Sequence, residues 1–329
     1  MDKKIVVLGG GTGLSTLLKG LKLFPLDITA VVSVSDNGGS TGILRKQFDI
    51  PAIGDIRRVL VSLSETEPLM EELLEYRFKT TGDLNNHPTG NLLLTALIKI
   101  TGNISEALKV LGKVLNIKGK ILPLSEDKVT LMVHTEDGRI LEGERVIEKT
   151  TCQVEEIYYK EKVIVTEEVI DEILNCDYVV ISMGSLYASI IPNLIIPEVA
   201  KALKETKAKK IFISNLMTEC GTTNGLKVSD FIKVFDKYIG AEFLDVVIAN
   251  NGNIDKNIIE RYKHMEKSVP IILDKENLKK YKFKLIEDDF VEILEEKDIF
   301  NLKRVDKMVR HNTMKLALCI FSYIMNEGD

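Results

Sequence analysis

Short apolar runs alternate with amphipathic stretches along most of the chain. Ile5 to Leu8 is apolar throughout and is closed by Gly9. A run of that kind, too short for a helix, predicts a strand buried on both faces, as in parallel sheets. Leu14, Leu17, Leu18 and Leu21 then recur at helical spacing, and Ile28 to Val34 is again strongly apolar. Strand, glycine turn, helix, strand is the order of a βαβ crossover. Helical patterns dominate from Ile43 to about Leu115. One opens at Gly54, a second runs from Leu69 to Phe78, and Asn91 to Ile100 is apolar enough for a core helix.

The rhythm changes between about Lys118 and Thr166. Val129 to Val133 alternates with period two, Asp137-Gly138 is a hairpin signal, and Arg139 to Val146 returns. Tyr158 to Val165 predicts one more strand. These residues form a β-rich insertion that serves as a lid, a dimerisation element or decoration. From Glu167 the α/β rhythm resumes, with strands at Tyr178 to Ile181, Ile211 to Ile213 and Val246 to Ile248. Pro197 suits the first position of a helix running to about Lys204. Ser229 and Gly240 suit the start and stop of another. Leu316, Ala317, Ile320, Phe321 and Ile324 share one helical face near the end. The strands on either side of the insertion are expected to share one sheet.

Composition narrows the class. The 329 residues are 45% hydrophobic and 28% charged, as in a soluble globular protein. No apolar run approaches the roughly 20 residues of a membrane span, and the segment before Gly9 is too short for a signal peptide. A cytoplasmic location is expected. Cys152, Cys176, Cys220 and Cys319 lie far apart without a C-x-x-C pair, and they are expected to be reduced, mostly buried thiols. A net charge of −5 argues against nucleic acid as a partner, though a few backbone N–H groups still suffice for one small phosphate.

Polar residues gather where the predicted strands end. Gly9-Gly10-Gly11-Thr12-Gly13 follows the first strand and opens a helix. N–H groups at a helix start, together with the helix dipole, favour an anion. Thr12 and Ser15 add hydroxyl groups. Leu14 breaks the G-x-G-x-x-G spacing, and no Gly-Lys-Ser/Thr follows; the first departure counts against a nicotinamide-dependent dehydrogenase. The loop from Ser33 to Gly42 follows the second strand, and ligands of doubly wound sheets lie beyond the carboxyl ends of the strands. Asp36 there suits a ribose hydroxyl or, through water, a metal. Gly54-Asp55-Ile56-Arg57-Arg58 offers a carboxylate and two guanidinium groups, and arginine clasps phosphate with paired N–H bonds. His87-Pro88-Thr89-Gly90-Asn91 leads into an apolar helix.

Ser182 to Ser189, Asn215-Leu216-Met217-Thr218 and Asn250-Asn251 end three further strands. Ordinary turns and caps compete at each place, but repetition along one rim points to a pocket. The phosphate or nucleotide candidates are Gly10, Gly11, Thr12, Gly13, Ser35, Asp36, Asn37, Gly39, Ser40, Asn91, Gly184, Ser185 and Asn215. His134 and His264 look isolated, and no histidine pair has metal-ligand spacing.

Taken in order, Gly9 to Ser15, Ser35 to Gly42, Gly54 to Arg57, Gly90-Asn91-Leu92, Gly184 to Tyr187 and Asn215 to Thr218 resemble the YvcK family of gluconeogenesis factors, within the CofD-like group. The likeness runs from residue 4 to about residue 320. It implies an α/β, Rossmann-like three-layer fold with a mostly parallel sheet, here as a single domain over 1–329 with the small β-rich insertion at 118–166. It further implies UDP-N-acetylglucosamine as ligand, no established catalytic activity, and a role in cell shape and growth on gluconeogenic carbon sources. Tyr262 and Arg310 match the family's late ligand-binding positions. A homodimer and a regulatory protein partner in cell-envelope synthesis are expected. The related CofD enzymes imply an alternative, a transferase acting on a nucleoside diphosphate derivative, with Asp36 and Asp55 holding magnesium against the diphosphate. The chain departs from the family at Ala188, where a threonine is expected, and at Asn312, where aspartate is common. Thr313 is a candidate for phosphorylation.

Overall fold

The computed structural model describes residues 2–297 and 305–326; the other residues of the expected 1–329 span lie outside that description. In chain order the strands are β1 (Lys3–Gly9), β2 (Leu26–Val32), β3 (Lys120–Pro123), β4 (Leu131–Thr135), β5 (Ile140–Glu142) and β6 (Val154–Tyr159). They continue with β7 (Tyr178–Ile181), β8 (Lys209–Ile213), β9 (Val246–Asn250), β10 (Lys284–Asp288), β11 (Val291–Lys297) and β12 (Val305–His311). The helices are α1 (Gly11–Leu21), α2 (Gly39–Phe48), α3 (Gly54–Leu63), α4 (Pro68–Glu75), α5 (Thr89–Thr101), α6 (Ile104–Val114) and α7 (Glu144–Glu148). After these come α8 (Glu167–Asn175), α9 (Ile191–Leu194), α10 (Pro197–Glu205), α11 (Val228–Tyr238), α12 (Lys256–Met265), α13 (Lys275–Leu278) and α14 (Thr313–Asn326).

Seven strands form one sheet in the order β10-β9-β8-β7-β1-β2-β3, and every pairing within it is parallel. Chain order reverses between β1 and β7, the arrangement of a doubly wound fold. The strands before and after the insertion do share this sheet. The central residues of β1, β2, β7, β8 and β9 are buried, which is why they read as apolar runs, whereas β10 at the sheet edge is only partly buried. Helices connect the strands, as the long connections of parallel pairs require. α1 packs against α3 and α14, while α8 packs against α10.

Leu14, Leu17, Leu18 and Leu21 of α1 are fully buried, as their spacing requires. Leu316, Ala317, Ile320 and Ile324 of α14 are buried too. Phe321 is only partly buried and stacks on Phe24, ring centroids 4.7 Å apart. α5, expected in the core, buries Leu94 and Ile98 but leaves Ile100 78% exposed. It is a surface helix with one apolar face. α11 begins one residue before Ser229, whose hydroxyl donates to Asp274 instead of capping. Among the described residues no single helix is long and apolar enough to cross a membrane. The four cysteines are free and only partly buried.

The insertion is smaller than its pattern suggested. β3 joins the main sheet, and the separate three-stranded sheet has the order β5-β4-β6. The predicted return over Arg139 to Val146 stops at Glu142, because Gly143, at φ 90°, turns the chain into α7. The strand expected at Tyr158 to Val165 lies earlier, at β6, where it pairs with β4. The Tyr238 hydroxyl accepts from the Ile157 N–H at 2.9 Å, and the Tyr159 hydroxyl donates to the Pro192 carbonyl at 3.2 Å. Those two bonds tie the small sheet to the main body.

Candidate functional site

The site lies at the reversal point of the sheet. β1 delivers Gly10 in extended conformation, and Gly11, at φ 63°, starts α1. Gly13 faces the loop after β7 so closely that a Cβ there would lie 1.9 Å from the Met183 carbonyl oxygen. The glycine turn therefore fits two backbones together at the reversal. One expected anion donor is already occupied: the Gly11 N–H donates to Asp55 Oδ2 at 2.7 Å. Asp55 is buried in the first turn of α3, and its Oδ1 accepts from Arg58 at 3.2 Å. A carboxylate at this helix start interacts favourably with the dipole. Ser15 is no ligand donor either, since its hydroxyl donates back to Gly11 and Thr12 carbonyl oxygens.

The loop after β2 divides its residues between scaffold and cleft. Ser35 is buried, and its hydroxyl lies 3.0 Å from that of Ser33. Asn37 Oδ1 accepts from the Arg145 N–H at 3.1 Å. These contacts hold the loop in place, and neither Ser35 nor Asn37 lines the cleft. Asp36 Oδ1 accepts from the Gly38 N–H at 2.7 Å. Ser40 Oγ sits between His87 Nδ1 at 2.8 Å and Asn91 Nδ2 at 3.1 Å. Beside them Arg57 is buried, 3.5 Å from Glu75, and its Nε is buried without a hydrogen-bond partner among the described residues. Burial pushes its guanidinium below the ordinary arginine range, with Glu75 working against that.

Across the reversal, the loops after β7 and β8 bind each other. The Gly184 N–H donates to Asn215 Oδ1 at 3.2 Å, and Asn215 Nδ2 donates to the Gly184 carbonyl at 2.6 Å. Ser185 Oγ donates to Glu219 Oε2 at 2.8 Å. Ala188 is buried in a π-helical turn over Leu186–Ile190. A hydroxyl at that position would not face the cleft; Ser189 does.

The β11–β12 hairpin supplies the last side. Tyr262, buried on α12, accepts the Val309 N–H on its hydroxyl at 2.9 Å. Arg310 donates to the Val309 carbonyl at 3.0 Å. His311 Nε2 lies 3.2 Å from the Ser214 carbonyl, so its proton sits there in the neutral ring. Burial pushes its pKa down to about 4. Asn312 Oδ1 caps α14 by accepting the Lys315 N–H at 2.8 Å. Asn caps as well as Asp, so that departure leaves the helix start intact.

These elements enclose a cleft of about 730 Å³. Gly10, Gly11, Thr12, Gly13, Asp36, Gly39 and Ser40 line it from the first two loops. Of the other expected residues, Asn91, Gly184, Ser185, Asn215, Tyr262 and Arg310 line it and Ser35 and Asn37 do not. Arg77, Arg145, Glu144, Glu219, Glu266 and Ser268 line it as well and were not foreseen. Arg77 lies in an irregular stretch and Arg145 on a short helix of the insertion, so neither is at a strand end. Glu219 stood within reach of the sequence argument, one residue beyond Asn215 to Thr218.

Among the described residues no three His, Cys, Asp or Glu side chains are grouped to hold a metal ion. Asp55 has both oxygens engaged by donors. Asp36 retains an oxygen that can meet a magnesium ion already carried by phosphates.

The sequence profile of 2-phospho-L-lactate transferase CofD matches residues 5–291. A gluconeogenesis factor from Halalkalibacterium halodurans is 40% identical over 319 residues, covering 97% of this chain and 95% of the relative. One from Bacillus subtilis (strain 168) is 39% identical over 315 residues, covering 95% and 96%. A crystal structure of a Bacillus halodurans protein superposes with a TM-score of 0.91 at 40% identity, covering 98% of this chain and all of the other.

Proposed function

The chain belongs to the CofD family, alongside the gluconeogenesis factors, and on that premise we propose that it is a regulatory protein whose cleft binds UDP-N-acetylglucosamine. The names of its relatives support a role in growth on gluconeogenic substrates. A role in cell shape, exercised in the cytoplasm by a homodimer through a protein partner in envelope synthesis, completes the reading. The observation that carries it is the division of one cleft into two chemistries. Arg57, Arg58 and Arg77 line it from α3 and the segment after α4, while Asn215 and Thr218 line it from the loop after β8, with Ser268 bonded to Thr218. The first suits a diphosphate and the second suits the neutral polar groups of a nucleoside or sugar. Three inter-strand steps separate the ends of β2 and β8, about 14 Å at the usual strand spacing.

Calorimetric titration with UDP-N-acetylglucosamine is the test. Binding is expected, and Arg310→Ala is expected to weaken it about 10- to 100-fold, the range for losing hydrogen bonds from a charged group. No heat from folded protein at millimolar ligand would overturn the reading.

The CofD match favours a second reading, a transferase acting on a nucleoside diphosphate derivative with magnesium. Asp36 then helps hold the metal, and Asp36→Asn is expected to lower turnover at least tenfold. Turnover equal to wild type in that variant would remove the metal role.

A further inference from the structure

Glu219 is one of the acidic residues that line the cleft, and the one placed in the loop after β8 beside Ser185. Its own N–H donates to Thr223 Oγ1 at 2.7 Å, which fixes the backbone after β8. Ser185 Oγ at 2.8 Å and Thr222 Oγ1 at 3.3 Å both donate to Oε2. Among the described residues Oε1 has no hydrogen-bond partner, and no Lys, Arg or His pairs with the carboxyl, although the residue lines the cleft. A carboxyl sheltered from water needs donors or a proton. This one is shaped for donors: two hydroxyl groups aim one oxygen and leave the other open to the ligand. Burial holds it above the ordinary glutamate range, and no neighbouring cation brings it back.

A phosphate cannot be its partner, since two anions would repel across a sheltered space. Asp36, another acidic residue of the cleft, belongs to the loop after β2 and has Oδ1 closed by the Gly38 N–H. We propose that Glu219 is the specificity-determining residue for the hydroxylated end of the ligand, its carboxylate accepting from sugar hydroxyl groups while Arg57, Arg58 and Arg77 face the diphosphate. The inference rests on the nucleotide-sugar reading of the cleft. The hydroxyls belong either to the ribose or to the glycosyl ring, and the same chemistry serves both. Ser185 reaches Glu219 from the β7 loop, so the reader is held from both sides of a loop junction that Asn215 also braces.

The experiment compares wild type, Glu219→Gln and Glu219→Asp by calorimetry against UDP-N-acetylglucosamine, UDP and N-acetylglucosamine 1-phosphate. Thermal melting confirms that each variant is folded. Glu219→Gln is expected to weaken UDP-N-acetylglucosamine binding at least tenfold. Glu219→Asp, which withdraws the carboxylate by one methylene, serves the same purpose if the glutamine variant does not fold. An equal loss for UDP assigns the hydroxyls to ribose. A loss confined to the two glycosyl ligands assigns them to the sugar ring. Wild-type affinity for all three ligands in a folded variant overturns the inference alone. Failure of the wild-type protein to bind any of the three overturns the nucleotide-sugar reading and this inference together.

Discussion

Gly13→Ala is expected to lower stability by about 3 kcal/mol, the upper part of the usual range for overpacking, and to abolish binding in the cleft. Local propensity predicts the opposite sign, because alanine is favoured over glycine inside a helix by about 1 kcal/mol. The close approach decides the outcome. The new Cβ would lie 1.9 Å from the Met183 oxygen, 2.6 Å from its carbonyl carbon and 3.2 Å from Gly184 Cα. All three are backbone atoms, so no rotamer change relieves the contact. The β1 and β7 loops must part, and the pairing of Gly184 with Asn215 is strained with them. Urea unfolding supplies the stability and calorimetry the binding. Gly82→Ala is the control, since that position is exposed and has nothing nearer than 3.9 Å; its effect is expected within about 0.5 kcal/mol. A Gly13→Ala protein with wild-type midpoint and affinity would show that the two loops do not touch.

The second large effect is in acid. His311 has a folded pKa of about 4 against 6.5 for the free side chain, because burial disfavours its charged form. The unfolded chain therefore binds more protons between these values, and stability falls as pH falls through them. The contribution is complete above pH 6.5 and lost once pH passes about 4. At roughly 1.4 kcal/mol per pH unit it is worth about 3 kcal/mol. Glu219 works in the opposite sense. Its folded pKa is raised by burial, so its contribution is present below the ordinary value of 4.5 and fades as pH rises through the raised one. The two slopes oppose each other just above pH 4.5. His311→Gln separates them, keeping a donor for the Ser214 carbonyl while removing the titration. Urea unfolding at pH 7, 5.5 and 4 is expected to show a shallower acid loss in the variant. Equal losses in both proteins would mean that His311 is not held neutral.

Much of the fold was legible because parallel strands bury both faces. Ile5 to Leu8 and Tyr178 to Ile181 read directly as strands for that reason. β6 was misplaced because Glu155 and Glu156 sit together in its middle, while the apolar Val163-Ile164-Val165 lies just beyond it. Pattern alone cannot tell an edge strand with exposed acids from a loop. At the site, the strand-end residues Gly10 to Gly13, Ser40 and Ser185 line the cleft. Ser35 and Asn37 resemble Asp36 and Ser40 in type and position, and only packing separates scaffold from cleft. Asp55 and Gly11 are 44 residues apart, and nothing local in either segment announces that one will cap the other.

That internal cap bears on which groups of the cleft remain to meet an anion. The start of α1 already carries a resident negative charge in Asp55, balanced by Arg58. Attraction for anions consequently falls to side chains of differing exposure rather than to the helix terminus. Arg57 is sheltered and Arg58 is not, so dissolved salt screens one far less than the other. If the cleft binds the proposed nucleotide sugar, discrimination is expected to follow where charge sits along a molecule more than how much it carries, with simple inorganic anions as weak competitors.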